Sequence, residues 1–275
     1  MFKILLTLIK SSQTLLAAFS TLFALALPAV ALEPIRCLIE ADDLIELSTP
    51  VAGIISEVAV GRGDRVEAGQ IVARLDSRAE EASLKLAEAQ AADTTAIDAA
   101  RVRLTFLETQ AERANTLAAR NAVSETVANE AQQEAEIARQ SLREAEFNKS
   151  LAAIEAERAR VQLDQKTLRS PVTGVVTEQL LSPGEYQAGE TQIVTVAKLD
   201  VLRIEAFAPL DYFEHLALGH QAEILPEPPF DQPHKATITV IDNVFDASTG
   251  TFGIRLELPN ADFALPAGLR CTVQF

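Results

Sequence analysis

The sequence is poor in the residue types that most catalytic and metal sites need. Its 275 residues include no Trp, two Cys and three His, and the only Met is the first residue. The three histidines, His215, His220 and His234, lack the spacing of a metal-ligand cluster, and no further Met is available for a thioether site. No Ser/His/Asp set, Cys/His set or phosphate-binding loop is recognisable. We therefore expect no enzyme activity, no metal and no cofactor.

Positive charge is also scarce. The chain has 24 Lys and Arg against 39 Asp and Glu, which gives a formal net charge of −15. Binding to nucleic acid depends on clustered Lys and Arg that neutralise phosphates, and binding to anionic lipid depends on a basic patch. The charge balance therefore predicts neither kind of partner.

Glycine and proline are missing from residues 77–166, a segment rich in the helix formers Ala, Glu, Gln, Leu and Arg. Small and apolar residues recur there at alternating spacings of three and four, which is typical of a coiled coil. In the first half these positions are Ile97, Ala100, Leu104, Leu107, Ala111, Ala114 and Ala118. In the second half they are Ala128, Ala131, Ala135, Ala138, Leu142, Ala145, Lys149, Ala152, Ala156, Ala159 and Leu163.

The middle of this segment predicts a chain reversal. Asn121 tolerates left-handed backbone geometry, Ser124 is a candidate N-cap, and Glu125 suits a helix N-terminus. We expect an antiparallel hairpin with two arms of about 43 residues, each roughly 65 Å long. Phe106 and Phe147 are expected to be buried in the helix packing. A rod or a spacer is the alternative that the helical pattern alone leaves open.

The first 31 residues have the pattern of a secretory signal peptide. Lys3 and Lys10 precede an uncharged apolar stretch at residues 15–27, and Pro28 and a small–x–small sequence follow it. We expect cleavage before Leu32 and an exported, soluble product. An uncleaved membrane anchor is the alternative.

The segments on either side of the helical region repeat each other. Pro50, Gly53 and Gly63 correspond to Pro171, Gly174 and Gly184 at a constant offset of 121 residues, and both copies end in Leu-Asp. The residue pattern of each copy predicts short strands separated by turns at Gly. A repeat this regular indicates two copies of one supersecondary unit, which we expect to fold together as a flattened β-sandwich.

The pattern "PVxGxV…GxxVxxGxxLxxLD" resembles one half of a biotinyl/lipoyl domain. Two such halves separated by a helical hairpin resemble the HlyD-type periplasmic adaptor, or membrane fusion, proteins. The resemblance implies a multidomain α+β fold: a split lipoyl-like β-sandwich that carries an antiparallel coiled-coil hairpin, followed by a small β-barrel. The implied divisions are a signal peptide (1–31), an N-terminal strand joining the barrel (32–47), two lipoyl-like halves (48–76 and 169–200), the hairpin (77–168) and the barrel (201–275).

The same resemblance implies a function in export without bond chemistry. An adaptor in the periplasm links an inner-membrane transporter to a TolC-like outer-membrane channel; a transporter of the RND type is favoured and one of the ABC type is possible. The family implies a homo-oligomeric ring, either a hexamer or a trimer of dimers.

Two other classes of function compete with this interpretation. A biotin or lipoate carrier needs a Lys at the exposed turn between the halves, but Leu75-Asp76-Ser77 leads directly into the helical segment. The nearest lysines, Lys85 and Lys166, lie in the helix arms, so a carrier is improbable. The second alternative is a secreted structural coiled-coil protein without a transport partner.

Three residues around the predicted turn have the spacing R-x3-L-x6-S: Arg113, Leu117 and Ser124. This spacing resembles the tip motif that adaptors present to TolC-like channels, and it implies that these residues dock the channel. The alternative assigns Arg113 to a solvated helix face, Leu117 to packing between the arms and Ser124 to a plain N-cap.

The two cysteines are predicted to form a disulfide. Cys37 and Cys271 each share the apolar phase of an alternating strand, and pairing of these strands would close the barrel. An exported protein with two Cys would then carry no stray thiol. Two buried free thiols are the alternative.

Overall fold

A computed structural model describes residues 35–275 of the chain. The predicted signal peptide, residues 1–31, lies outside the described residues. The strands are β1 (Ile35–Leu47), β2 (Gly53–Val58), β3 (Arg65–Val66), β4 (Ile71–Leu75), β5 (Thr167–Arg169), β6 (Gly174–Gln179), β7 (Tyr186–Gln187), β8 (Val194–Pro209), β9 (Gln221–Pro226), β10 (His234–Ile241), β11 (Thr251–Pro259) and β12 (Leu269–Gln274). The helices are α1 (Arg78–Ala92), α2 (Thr95–Ala118) and α3 (Glu125–Asp164).

Six strands close into a β-barrel, as the family resemblance implied. Their order is β1-β12-β9-β10-β11-β8, and pairing between β1 and β8 completes the circle. Alternate residues point inward because side chains change face at every position of a strand. On β8, Leu202, Ile204 and Ala206 are therefore buried in the barrel core, together with residues such as Phe252 of β11. A 3₁₀ turn of three residues, Leu210–Tyr212, follows β8.

Cys37 and Cys271 lie inside this barrel and face each other across the β1–β12 ladder. Their Cα atoms are 4.8 Å apart and their sulfur atoms are bonded, which joins residues 234 positions apart in the chain. A crosslink of this span can stabilise a protein by up to about 5 kcal/mol in the chain-entropy model.

We expect the protein to contain no free thiol. Protein isolated without reductant should therefore bind no thiol reagent after denaturation, and prior reduction should expose two thiols per chain. Replacing both cysteines with Ala should lower the denaturation midpoint, because the unfolded chain gains freedom when the crosslink is lost. Two reactive thiols in the unreduced protein would contradict this expectation.

The two sequence repeats are interlocked. Strand β2 of the first copy pairs with β7 of the second, and β3 of the first pairs with β6 of the second. The exchange is symmetric in its hydrogen bonds: Gly184 donates to the carbonyl of Ile55 at 2.8 Å, and Gly63 donates to the carbonyl of Val176 at 2.8 Å. Buried residues of both copies share one apolar core. Neither copy can complete its sheets without the other.

Strands β1 and β8 are long enough to belong to both β bodies. They pair with each other along most of their length, with an irregularity between Ala41 and Asp43. Near this irregularity the Nζ atom of Lys198 lies 2.6 Å from a carboxylate oxygen of Asp42. This hydrogen bond raises the pKa of Lys198 above its ordinary value. The paired strands form a continuous ribbon that connects the barrel to the interlocked repeats.

The three helices form the predicted antiparallel hairpin. Helix α3 is the second arm, about 60 Å long, and α1 and α2 together are the first arm. Every position predicted for the contact between the arms is buried or half-buried. Small Ala side chains dominate this contact, for example Ala111 against Ala131 and Ala135, so the two backbones approach closely.

The first arm differs from the prediction because it is not one helix. Helix α1 ends at Ala92, and α2 begins at Thr95. A carboxylate oxygen of Asp93 accepts hydrogen bonds from the backbone N–H and the hydroxyl of Thr95, at 2.8 and 2.5 Å. Such local side-chain bonds offer the backbone an alternative to the helical ladder, so the cluster Asp93-Thr94-Thr95 interrupts the arm.

The expectation that Phe106 and Phe147 are buried in the helix packing is wrong. Their exposed fractions are 68% and 61%. Both residues lie out of phase with the Ala-lined contact between the arms, and that contact leaves no room for large rings.

The base of the hairpin is fastened to the repeats by charged groups. Lys166, at the end of the second arm, lies 3.1 Å from Glu80 of α1 and donates to the carbonyl of Ala52. Asp76 accepts a side-chain hydrogen bond from Arg78, and this bond is the main reason why the pKa of Asp76 falls to about 2. The hairpin therefore projects from the repeats in a defined direction.

Candidate functional site

The candidate site is the tip of the hairpin, which we define as the last two turns of α2, the turn 119–124 and the first turn of α3. The turn is a Schellman motif, in which the N–H of Ala122 bonds to the carbonyl of Leu117 and the N–H of Asn121 bonds to the carbonyl of Ala118. Asn121 has φ of 56°, as its tolerance of left-handed geometry predicted. The motif reverses the chain without leaving the last carbonyls of α2 unpaired.

Ser124 begins the return helix. Its hydroxyl oxygen accepts a hydrogen bond from the backbone N–H of Val127 at 3.4 Å, and Glu125 follows in the first turn. A Ser at this position satisfies one of the free N–H groups of a helix start. Ser124 is exposed, so its hydroxyl also faces outward at the tip.

Arg113 and Leu117 lie one turn apart on α2, close to the turn. Arg113 is exposed and forms no ion pair with any residue in the described part of the chain. Leu117 is 43% exposed, whereas the neighbouring Ala114 and Ala118 pack between the arms. Leu117 therefore presents part of its side chain to solvent.

The sequence interpretation missed Val127. This residue lies in the first turn of α3 and is 47% exposed. Ala128, the next residue, belongs to the contact between the arms. Val127 therefore lies on a different face of α3, and the heptad pattern could have identified it as exposed. The tip thus presents two apolar side chains, Leu117 and Val127, together with the cation of Arg113.

One group of charges below the tip is paired within the hairpin. Arg139 of α3 lies 2.6 Å from Glu108 of α2 and also pairs with Glu136. Hydrogen bonds from Arg143 and then Arg139 hold the pKa of Glu136 below its usual range. Arg113 is not part of this network, so its positive charge is available to a partner.

Other classes of site were sought in residues 35–275. This part of the chain contains no group of three His, Cys, Asp or Glu side chains that could hold a metal ion. It also has no helix with the length and apolarity that crossing a membrane requires. His215 is exposed, and its Nδ1 atom lies 3.0 Å from the carbonyl oxygen of Asp211.

No family model matches the chain. The chain is 25% identical over 225 residues to the cobalt-zinc-cadmium resistance protein CzcB of Cupriavidus metallidurans, a match that covers 81% of this chain and 40% of that protein. It is 25% identical over 244 residues to the multidrug resistance protein MdtE of Escherichia coli, with 84% of this chain and 60% of that protein covered. The chain thus spans about half the length of these relatives.

Solved structures share the fold. MacA from Actinobacillus actinomycetemcomitans matches 88% of this chain with a TM-score of 0.66 at 19% identity, and 78% of that chain is covered. The membrane fusion protein Spr0693 from Streptococcus pneumoniae matches 88% of this chain with a TM-score of 0.58 at 16% identity, and 97% of that chain is covered. The resemblance to membrane fusion proteins is confirmed.

Proposed function

Because the chain has the fold of a membrane fusion protein and relatives named for resistance and efflux, we propose that it is the periplasmic adaptor subunit of a tripartite efflux pump. The observation that carries the proposal is the hairpin: it projects from the interlocked repeats and ends in an exposed, uncompensated cation beside apolar side chains. Such a shape bridges distant partners and provides no chemistry of its own.

The interlocked repeats would be the lipoyl-like domain of the adaptor. Their cross-paired strands, shared core and symmetric hydrogen bonds support two halves of one domain. A carrier role is disfavoured by the place of the lysines. Lys166 is bound to Glu80 with its side chain only 14% exposed, and attachment of a cofactor needs an accessible amine.

We propose that Arg113, Leu117 and Ser124 dock the tip to a TolC-like outer-membrane channel. Arg113 supplies a cation with five N–H donors for carboxylates or carbonyls at a channel rim. Leu117 and the adjacent Val127 supply apolar area that becomes buried on contact, and Ser124 adds a hydroxyl. This combination suits a partner with acidic or carbonyl groups around an apolar contact.

The remaining parts of the proposal concern partners and place. The protein would be exported to the periplasm, would contact an inner-membrane transporter, and would assemble as a homo-oligomeric ring, a hexamer or a trimer of dimers. An RND transporter is the favoured inner-membrane partner, and an ABC transporter is the alternative.

Co-purification from cell envelopes tests this function. After mild crosslinking, a tagged form of the full chain should bring down one outer-membrane channel and one inner-membrane transporter, both identified by mass spectrometry. The type of transporter found decides between proton-driven and ATP-driven export. Recovery of the chain with neither partner would favour the alternative, a secreted structural coiled-coil protein.

A further inference from the structure

A cation and an aromatic ring connect the two β bodies outside the ribbon of β1 and β8. The guanidinium carbon of Arg65, on β3 of the first repeat, lies 3.9 Å from the centre of the Phe263 ring. Phe263 belongs to the segment 260–268, which joins β11 to β12 of the barrel. A guanidinium over the face of a ring is attracted by the partial negative charge of that face. The contact therefore holds the barrel and the repeats together at this point.

The ribbon itself is interrupted between the two bodies. Their apolar cores are separate, so their relative orientation depends on the ribbon and on contacts between side chains. Ala41 of β1 pairs with Leu202 of β8, and Asp43 pairs with Lys198. One residue of β1 is thus opposite three residues of β8, positions 199–201, which we call the bulge. An irregularity of this kind locally disrupts the ladder and bends the strand, so the ribbon resists bending least at the bulge.

The segment 260–268 is fastened to the bulge by Asn260, which is 4% exposed. The backbone N–H of Asn260 donates to the carbonyl of Asp200, and its Nδ2 atom donates to the carbonyl of Leu199, both at 2.8 Å. The same side chain closes the segment on itself. Its Nδ2 atom donates to the carbonyl of Leu265 at 2.9 Å, and its Oδ1 atom accepts from the N–H of Leu265 at 3.0 Å. Phe263 therefore lies within a loop whose position relative to the bulge is fixed.

Phe263 has a backbone conformation that its residue type does not favour. Its φ is 61°, a left-handed geometry that glycine adopts freely and an aromatic residue rarely adopts. Such geometry persists where the surrounding structure imposes it, often at functional positions. The ring is half-buried and belongs to neither apolar core. Glycine would satisfy the backbone at this position, so the ring is there for its contact with Arg65.

We propose that the segment 260–268 is a latch that holds the barrel at one angle to the repeats. Asn260 anchors the latch on the bulge, and Phe263 reaches Arg65 of the first repeat, so the latch spans the place where the ribbon can bend. When the contact between Phe263 and Arg65 breaks, the ribbon bends at the bulge and the barrel tilts against the repeats. Arg65 is exposed, and cation–π contacts at exposed sites are weak. The latched and released arrangements therefore interconvert within one folded chain.

The latch goes beyond the proposed function and rests on it for its biological setting only. It requires neither a transporter nor a channel. In an adaptor, the angle between the barrel and the repeats determines the direction in which the hairpin projects from the barrel. The latch would hold that direction before the partners meet.

Distances between the two bodies test the latch in the purified full chain. Spin labels are attached to p-acetylphenylalanine introduced at Tyr186 of the repeats and, in separate samples, at Glu223 or Glu257 of the barrel. This chemistry adds no thiol beside the disulfide, and all three positions are exposed and lie on strands. Pulsed electron paramagnetic resonance then gives the distribution of distances between the bodies. We expect one narrow distribution for each pair of labels in the otherwise unaltered chain.

Phe263→Gly removes the ring and suits the backbone of the segment, so it releases the latch without straining the loop. This variant and Arg65→Ala should each raise the share of distances outside the narrow range by roughly two- to fivefold, as expected for loss of a weak cation–π contact. The double variant should show no larger share than either single variant, because all three lose the same contact. Phe263→Tyr keeps the ring and should keep the narrow distribution. Arg62→Ala, which removes an exposed cation close to Arg65, should keep it too.

Three outcomes of this measurement would overturn the latch. Unchanged distributions in Phe263→Gly and Arg65→Ala would show that the contact does not hold the bodies. Additive effects in the double variant would show that the two residues act separately. Equal broadening in Arg62→Ala would show that loss of any charge near β3 loosens the joint.

Hydrogen exchange provides an independent test of where the chain bends. In Phe263→Gly, the amides of β1 and β8 beside the bulge should exchange faster by a similar factor, whereas those of β12 should exchange at the unaltered rate. Faster exchange throughout the barrel would show that the variant loosens the fold as a whole, and it would contradict a bend at the bulge.

These tests separate the latch from the function. If the distance distributions respond as expected but no transporter or channel co-purifies, the proposed function is wrong and the latch stands. If both partners co-purify but the distributions do not respond to Phe263→Gly, the latch is wrong and the function stands.

Discussion

If Arg113 docks the hairpin to a channel as proposed, replacing it with Asp is expected to abolish export of the pump substrate in cells that lack the unaltered protein. The guanidinium lies at the tip without an ion-pair partner in the described part of the chain, so a docked channel would be its first partner. Loss of a hydrogen-bonded charge at an interface typically weakens binding by about 2–5 kcal/mol. Reversing the sign of the charge adds repulsion between the side chain and its former partner. The variant should still fold and reach the same level in the cell, because an exposed charge contributes little to stability. Survival in the presence of a pump substrate, together with recovery of the channel by co-purification, measures the loss.

The matched control is Arg101→Asp, on the same helix but farther from the tip. Arg101 is also exposed, and its ion pair with Asp98, at 3.4 Å, is of the surface kind that contributes little. This variant should support export at the normal level. Equal export by both variants would show that Arg113 is ordinary helix surface and that the docking proposal is wrong. Ser124→Ala is a poorer probe, because loss of the N-cap alone costs about 1 kcal/mol.

Replacing Gly174 with Ala is expected to destabilise the interlocked repeats severely. A Cβ atom at Gly174 would lie 2.2 Å from the carbonyl oxygen of Ala197 and 2.9 Å from a methyl group of Val196. The first of these neighbours is backbone of the paired strand β8, so relief requires movement of the sheet itself. Overpacking of this kind costs about 3 kcal/mol. Urea denaturation of the purified protein, with its disulfide intact, should show a clearly lower midpoint.

Gly53→Ala is the natural control, because Gly53 occupies the equivalent place in the other repeat. There the added Cβ would lie 3.2 Å from a side-chain methyl of Leu75, so a shift of a few tenths of an ångström in a side chain relieves the contact and the backbone need not move. Neither glycine has a positive φ, so the comparison isolates steric contact. The midpoint of this variant should stay close to that of the unaltered protein. Equal midpoints for both variants would contradict the close approach of β6 and β8.

The hairpin shows which structural features can be predicted from the sequence. Asn121 and Ser124 were identified correctly, because turns and caps depend on the conformational preferences and hydrogen bonds of a few adjacent residues. The break between α1 and α2 had a local signal too, the cluster Asp93-Thr94-Thr95. It was overlooked because the apolar periodicity continues across it. Periodicity reports which face is buried, not whether the backbone hydrogen bonds are continuous.

Phe106 and Phe147 show where residue type misleads. Their size suggested burial, but their helical phase places them outside the contact between the arms. That contact is built from Ala, so the helices lie too close together to accommodate a ring.

The sequence by itself determined the order of the elements, the helical hairpin with its turn, and the presence of two repeats. These features follow from local preferences and from periodicity, which each segment expresses regardless of its surroundings. Only the tertiary structure decided that the repeats exchange strands and that Gly174 and Gly53 differ in their surroundings. Such relations depend on pairing between residues far apart in the chain, where packing and the register of hydrogen bonds select one arrangement among many that the local pattern permits.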